Sequence, residues 1–324
     1  MRFKAVIVLL AISTCFGQTR TGLLRSALDG DAKSQMALGD LYLSEENYLQ
    51  ALHFYQMAVD QGLKEAECAL GNMYRFGQGT NQNYTEAVRL YKLAAAQGWM
   101  EAQFNLGVMY DNGLGVDQDY GEAARWYRMT AEKGLADGEF NLGLMYANGK
   151  GVTQNYKEAL RWYRLAADQR KMPQAQYNIG AMYDSGQGVD QDYKEAARWY
   201  KLAGDQGHAE AQFNLALMYA NGQGIEQNDK EAFRLFRLAA EQGQREAAAN
   251  LGTLYVNGVG VSKDFVEAVK WLSVAVSEGD RDSVDPLDQV VARMTEPQLE
   301  KAAQMAKAWK PCQSKAECDA RVKQ

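Results

Sequence analysis

The sequence predicts an all-α protein in which seven helical hairpins stack one after another as a solenoid. The first observation is a short phrase that returns seven times, a small residue after Leu or Ile with Tyr three positions later. The small residue is Gly39, Gly71, Gly107, Gly143, Gly180, Ala216 and Gly252, at intervals of 32 to 37 residues. A fixed period of this length is typical of supersecondary units that bury one another's apolar faces.

The second observation is a recurring helix start in the later half of each unit. In the third unit Asp119 can cap a helix, and Glu122, three residues on, completes the pattern of a capping box. The same pair of residue types recurs as Asn83/Glu86, Asn155/Glu158, Asp192/Glu195, Asn228/Glu231 and Asp264/Glu267. Glycines follow the helices and can end them in the left-handed conformation. Each unit is therefore predicted to be a hairpin with short, glycine-containing turns.

The period divides the chain into a leader, a lead-in, seven units and a C-terminal cap. The units are predicted at about residues 32–63, 64–99, 100–135, 136–172, 173–208, 209–244 and 245–280. The lead-in covers residues 18–31, and the first unit lacks the glycine loop, as expected of an atypical terminal repeat. Residues 281–324 are predicted to cover the last hairpin with helices and to end in a disulfide-closed tail.

The first residues are typical of a secretory signal peptide over residues 1–17. Arg2 and Lys4 precede an apolar stretch that is too short to span a bilayer, and Gly17 ends a small-x-small cleavage site. The alternative makes Cys15 the acceptor of a lipid anchor, although its neighbours fit that pattern poorly. We expect an exported protein without a membrane span, periplasmic or secreted, with an outer-membrane lipoprotein as the alternative.

The net charge of the chain restricts the kinds of partner that it can bind. The chain carries a formal charge of -6, which becomes -8 without Arg2 and Lys4 of the leader. An acidic chain without basic clusters binds phosphate backbones poorly, so no nucleic-acid partner is expected.

Cys312 and Cys318 are predicted to form a short disulfide in the tail of an exported protein. Cys68 lies at an apolar helical position and is predicted to be a buried free thiol.

The repeated pattern resembles the Sel1-like repeat, a relative of the tetratricopeptide repeat with a glycine-rich loop inside the hairpin. In the third unit the match is carried by Ala102, Leu106, Gly107, Tyr110, Gly113, Gly115, Glu122, Ala123, Trp126 and Ala131. The resemblance covers roughly residues 32–280. It implies a right-handed α/α superhelix that serves as a protein-binding scaffold, in processes that include envelope regulation, polysaccharide export and host interaction.

The resemblance also indicates where a protein or peptide partner would bind. By analogy with tetratricopeptide folds, the polar arc of each first helix lines a concave groove. The predicted groove residues are Glu101, Asn105, Asn112, Asn141, Asn148, Asn178, Asn214, Asn221 and Asn250. A ladder of asparagines can bind an extended peptide backbone because each amide both donates and accepts. Alternatively, these amides satisfy backbone groups of the next repeat.

Catalysis is the alternative function class. With only His53 and His208, the chain has little material for a serine–histidine or cysteine–histidine apparatus. The segment from Asp111 to Glu122 has carboxylates at calcium-loop positions, but glycines occupy two ligand positions, so no metal or other cofactor is expected. Some cysteine-rich exported Sel1-like proteins are described as β-lactam-binding or hydrolysing, yet their cysteine pair per repeat is absent here and no Ser-x-x-Lys pattern occurs. We predict a non-enzymatic adaptor.

Overall fold

A computed structural model of the chain describes residues 20–323. Over these residues the fold consists of eighteen α-helices and one turn of 3₁₀ helix, without a strand. The predicted all-α fold of paired helices is confirmed. None of the helices within residues 20–323 combines the length and the apolar character that crossing a membrane requires. The predicted signal peptide, residues 1–17, and Cys15 within it lie outside the described residues.

The helices follow one another in pairs along the chain. Their bounds are α1 Arg20–Leu28, α2 Ala32–Ser44, α3 Tyr48–Val59, α4 Lys64–Phe76, α5 Tyr84–Ala96, α6 Met100–Asn112, α7 Tyr120–Ala131, α8 Ala136–Asn148, α9 Tyr156–Arg170, α10 Pro173–Ser185, α11 Tyr193–Gly204, α12 Ala209–Asn221, α13 Asp229–Glu241, α14 Arg245–Asn257, α15 Phe265–Ser277, α16 Val284–Val291, α17 Glu296–Ala308 and α18 Lys315–Lys323. Helices α2 to α7 form three hairpins and α10 to α15 form three more, and α8 and α9 are the first and second helices of the fourth repeat. The sequence pattern does not predict α1, in the lead-in, or α18, in the tail.

The chain divides into two compact units, Met1–Gln154 and Asn155–Gln324, which we call unit 1 and unit 2. Within unit 1, α1 to α8 pack in chain order, each helix against the next. Within unit 2, α9 to α15 pack in the same way, α16 and α17 pack against α15, and α18 packs against α13. The largest fully buried side chains are aromatic residues of the second helices, namely Tyr55, Tyr91, Tyr127, Tyr200, Phe236 and Trp271.

The predicted helix starts are present, but the predicted capping box is only half formed. Asp119 Oδ1 accepts from the backbone N–H of Glu122 at 3.0 Å, as an N-cap should. The N–H of Asp119 does not bond the Glu122 side chain. It donates to the carbonyl of Tyr110 at 3.0 Å, at the end of the first helix. Glu122 instead pairs with Arg125 at 2.8 Å. The N-cap therefore ties the two helices of one hairpin together.

The recurring small residue makes room for a tyrosine ring of the same hairpin at Gly39, Gly71, Gly107 and Gly180, and for Leu272 at Gly252. At Gly107 an added Cβ would lie 2.7 Å from the ring of Tyr127, which is buried in the same hairpin. In unit 2, Gly188 of the glycine loop adopts φ +72°, and a Cβ there would lie 2.6 Å from the carbonyl carbon of Tyr156 in the preceding repeat. Glycine at these two positions is required by close packing and by backbone conformation.

The first hairpin is atypical, as predicted. It lacks the glycine loop, and Glu46 adopts the left-handed conformation with φ 60° between α2 and α3. Asn47 caps α3 by accepting from the N–H of Gln50 at 3.4 Å. A short polar turn thus replaces the glycine loop, at a modest cost in backbone strain.

The C-terminal tail returns to the surface of repeat six. The N–H of Cys312 donates to the carbonyl of Glu241 at 2.8 Å, at the end of α13. The Cα atoms of Cys312 and Cys318 lie 5.6 Å apart, a separation that a disulfide can span. Formation of this disulfide stays a prediction.

Cys68 is a buried free cysteine, as predicted, and burial raises the pKa of its thiol to about 12.

Candidate functional site

The candidate site is a polar face that the first helices α2, α4 and α6 share in unit 1. We call it the first-helix surface, and it consists of Asp40, Asn72, Arg75, Glu101, Asn105 and Asp111. Glu101 and Asn105 are four residues apart on α6, and Asn72 and Arg75 are three apart on α4, so each pair projects from one side of its helix. The apolar residues between these positions face the core.

Side-chain hydrogen bonds connect repeats two and three across this surface. Asn105 Nδ2 donates to Asn72 Oδ1 at 3.2 Å, and Arg75 Nη1 donates to Asn105 Oδ1 at 3.4 Å. The hydroxyl of the buried Tyr91 also donates to Asn72 Oδ1, at 2.7 Å. Glu101 receives a single long bond, from Asn72 Nδ2 at 3.4 Å. The network fixes Asn72 and Asn105 and leaves most of the hydrogen-bonding capacity of Glu101 unused. Arg75 also hydrogen-bonds Tyr91 and lies over the ring of Phe76.

Buried tyrosines hold two carboxyl groups of the surface. The Tyr55 hydroxyl donates to Asp40 Oδ1 at 2.8 Å, and Tyr127 hydrogen-bonds Asp111. Burial raises the pKa of both tyrosines, so they remain protonated donors. Burial also raises the pKa of Asp40, against the opposing effect of the Tyr55 hydrogen bond, and the negative charge of Glu101 raises it further.

Four of the predicted groove residues are exposed. Glu101 lies in the first turn of α6, and Asn112, Asn148 and Asn221 are the last residues of their helices. Asn112 and Asn148 donate to the carbonyl four residues earlier in their own helices, at 2.8 and 3.0 Å. These amides help to close helix ends, where carbonyl groups lack helical partners.

The other five asparagines do not share one kind of partner. Asn105 bonds Asn72 of the preceding repeat. Asn141 and Asn250 donate to carbonyls of their own helices, at 2.7 and 2.8 Å. Asn178 and Asn214, in unit 2, hydrogen-bond tyrosines of the preceding repeat. Both the peptide-binding ladder and the alternative role toward the next repeat's backbone stay predictions.

Sequence reasoning missed Asp40, Asn72 and Arg75. The available signal was a buried tyrosine that recurs in the second helices of the first five repeats, as Tyr55, Tyr91, Tyr127, Tyr163 and Tyr200. A buried phenol requires a hydrogen-bond partner, so a polar residue had to lie opposite it on a neighbouring helix. The identity of that partner could be found only from the packing.

The outward face of the second helices has a different character. Its arginines pair with glutamates three residues earlier and lie over the ring of the following tryptophan. The arginine-to-ring distances are 4.8 Å for Arg125 and Trp126, 4.6 Å for Arg161 and Trp162, and 4.5 Å for Arg198 and Trp199. The charges on this face are therefore satisfied within each helix.

Replacing Asp40 by asparagine is expected to stabilise the protein at neutral pH. Asp40 has a raised pKa in the folded state, so folding favours its protonated form, and ionisation destabilises the fold. The gain of Asp40→Asn over wild type should be small at pH 3 and should increase as pH rises through the raised pKa. Urea unfolding of both proteins at pH 3, 5 and 7 measures it. A gain that is the same at all three values would contradict the assignment.

Comparison with known proteins agrees with the repeat architecture. The model of the Sel1 repeat matches seven segments, residues 32–63, 64–99, 101–135, 136–170, 173–208, 209–244 and 245–280. The chain belongs to the Sel1 repeat family. Members of this family are typically scaffolds for protein interactions and are generally non-enzymatic. No significant match was found among curated proteins.

Solved structures include proteins similar to this Sel1 repeat protein. A Sel1 repeat protein from Oxalobacter formigenes is 33% identical, with a TM-score of 0.67, and the match covers 74% of this chain and 96% of that one. The protective antigen c5321 of uropathogenic Escherichia coli is 24% identical, with a TM-score of 0.45, covering 99% and 86%. Immunity protein Pa5087 from Pseudomonas aeruginosa is 21% identical, with a TM-score of 0.40, covering 64% and 80%.

Proposed function

We propose that this Sel1 repeat protein is an exported scaffold that holds a protein or peptide partner against its first-helix surface. The family supports the scaffold role, and the leader at residues 1–17 supports export to the periplasm or beyond. A role in envelope assembly, envelope regulation or host interaction is consistent with export.

If the leader is removed as proposed, the protein recovered from the periplasm should begin at residue 18 by mass spectrometry.

The observation that supports this surface is that two of its charged side chains lack a counterion. Within residues 20–323, neither Arg75 nor Glu101 forms an ion pair. Glu101 has one long hydrogen bond, and the Arg75 guanidinium contacts only neutral groups, namely Asn105, the Tyr91 hydroxyl and the ring of Phe76. On the outward face, by contrast, Arg89 pairs with Glu86 at 2.6 Å, and the later repeats repeat this pairing. Charges without a counterion on a surface fixed by buried tyrosines can bind complementary groups of a partner at little cost in ordering.

A pair of charge-neutral double variants tests the proposal. Arg75→Ala with Glu101→Ala removes one cation and one anion from the first-helix surface. Arg89→Ala with Glu86→Ala removes the same two charges from the outward face of α5 and serves as the control. Each tagged protein is used to capture partners from envelope extract, and the bound proteins are quantified by mass spectrometry. Losing contacts of charged side chains is expected to lower retention of a partner about tenfold for the first variant only.

The control separates loss of binding from loss of folding. Both double variants should keep the near-UV circular dichroism spectrum of the wild type, because the substituted residues are exposed or partly exposed. If both variants retain the partner as well as the wild type does, the first-helix surface is ruled out as its binding site. Equal loss from both would indicate a general charge effect and would also count against the proposal.

A further inference from the structure

The C-terminal helix α18 of unit 2 packs against the outward face of α13. Arg237 of α13 donates to the backbone carbonyls of Arg321 at 2.8 Å and of Val322 at 3.5 Å, at the end of α18. Glu241, one turn further along α13, accepts from Arg321 at 2.9 Å. Leu238 lies between them, is 4% exposed and belongs to the apolar cluster against which Val322 packs. A cation, an apolar side chain and a carboxylate of α13 thus hold the tail helix.

The same three residue types occupy the same positions in α11, the second helix of repeat five. They are Lys201, Leu202 and Asp205, which lie nine, ten and thirteen residues after the N-cap Asp192. The three residues of α13 lie at the same distances from the N-cap Asn228. We call the set in repeat five the α11 face. Unlike its counterpart under the tail, Leu202 is 39% exposed.

The other repeats with a cation at this position differ from repeat five. In repeats three and four the cation is an arginine that donates to a tyrosine hydroxyl of the next first helix, Arg128 to Tyr146 and Arg164 to Tyr183. Repeat two has Ala96 where the carboxylate would be. In repeat five the cation is a lysine that pairs with the carboxylate of its own face, so both charges stay on the outward surface.

The ion pair of the α11 face can be exchanged for contacts with a docking helix at little cost. Lys201 Nζ and Asp205 Oδ2 lie 3.1 Å apart, and 59% and 60% of these side chains are exposed. An exposed pair at this spacing contributes little to stability. Repeat six shows the exchanged state, because there the cation binds carbonyls at the C-terminal end of the docked helix and the carboxylate binds its arginine. Covering Leu202 supplies the apolar part of the binding free energy.

We propose that the α11 face binds a short amphipathic helix of a partner protein, with an arginine near the C-terminal end of that helix. The arginine would pair with Asp205, the last carbonyls of the helix would accept from Lys201, and an apolar residue beside the arginine would cover Leu202. The bound helix would extend the layer that α18 begins, since an added Cβ at Gly207, in the turn after α11, would lie 3.3 Å from Lys315 of α18. The α11 face lies in unit 2 and would bind its helix whether or not the first-helix surface binds a partner.

The tail helix supplies the probe, because its docked form makes the required contacts. A fluorescein-labelled, C-amidated peptide of residues 313–323 contains Arg321, and Cys318→Ala prevents disulfide exchange. Ala316→Glu and Ala320→Lys, at positions that are exposed in the docked tail, allow a lactam that keeps the peptide helical, which its length alone would not. Fluorescence anisotropy of this peptide, titrated with the full-length protein, measures binding.

Two leucine variants locate the binding. Leu202→Glu should weaken binding of the peptide at least about tenfold, because it places a carboxylate where the apolar side chain would pack. Leu93→Glu is the matched control and should leave binding unchanged. Leu93 is 41% exposed at the same position of repeat two, where Ala96 leaves the arginine without a partner. Both variants should keep the near-UV circular dichroism spectrum of the wild type, because both leucines are exposed.

A charge exchange tests the arginine contact. Asp205→Lys should weaken binding of the peptide about tenfold, and a peptide with Arg321→Glu should bind this variant more tightly than it binds the wild type. Absence of binding by the wild type, equal effects of Leu202→Glu and Leu93→Glu, or no recovery in the charge exchange would each overturn the proposal. Dimerisation of the wild type that Leu202→Glu abolishes, measured by sedimentation velocity, would assign the face to the tail of a second copy and overturn a separate partner.

Discussion

Replacing Gly107 by valine is expected to destabilise unit 1 by about 2–4 kcal/mol. A Cβ at this position would lie 2.7 Å from the ring of Tyr127, closer than carbon atoms can approach. The ring cannot move aside, because Tyr127 is 1% exposed and hydrogen-bonds Asp111. The helix α6 would have to move away from α7. The small gain in helix propensity over glycine, well under 1 kcal/mol, does not compensate.

The same substitution at Gly121 is the matched control. Gly121 lies in α7 on an exposed position, where an added Cβ would meet only Asp119 Oδ1, at 3.2 Å. Gly121→Val should therefore change stability by no more than about 0.5 kcal/mol. Urea unfolding followed by circular dichroism gives both values. Equal stability of the two variants would show that the small residue of the repeated phrase is not required for packing.

The hairpins were predictable because each signal for them is local. An N-cap such as Asp119 and a glycine such as Gly107 act within a few residues of their own positions, and their recurrence in other repeats confirms each assignment. Helix α1 lacks such signals, and α18 has only one, Ser314, whose Oγ accepts from the N–H of Glu317 at 3.3 Å. Helix α18 is short and polar, and it depends on distant partners, namely the contact of Arg321 with Glu241 and the burial of Cys318. Contacts of this kind are not visible in the order of residues.

The candidate site was predictable only in part, for a physical reason. Helical spacing placed Asn105 and Glu101 on a polar arc. Glu101 is exposed there, whereas Asn105 is buried, with 7% of the residue exposed. Their partners, Asn72 and Arg75, come from the neighbouring helix, and which side chains meet depends on how far one helix is shifted along the next. The capping role predicted for Glu122 is not formed, because the N–H of Asp119 donates to the carbonyl of Tyr110 on the neighbouring helix, and Glu122 pairs with Arg125 instead.

Replacing Trp271 by alanine is expected to lower the free energy of unfolding of unit 2 by about 3–5 kcal/mol. Trp271 is 1% exposed, and its ring lies edge-on to Trp309 with centroids 5.9 Å apart. Alanine would leave a cavity where α17 covers α15, and it would remove an aromatic pair worth about 0.5–1.5 kcal/mol. Urea unfolding measures the loss. Hydrogen exchange should show reduced protection in α17 before the rest of unit 2 opens, because α17 contacts no other hairpin as extensively as that of α15.

Trp126→Ala is the informative comparison, because Trp126 occupies the same place in the repeated pattern. Trp126 is only partly buried, so its loss should cost less than that of Trp271. The difference between the two variants then includes what the covering helix α17 adds to the burial of Trp271. Equal losses would mean that the C-terminal helices contribute little to burying the last hairpin. Trp271→Phe, which keeps an aromatic ring beside Trp309, should recover more than half of the loss if packing is the cause.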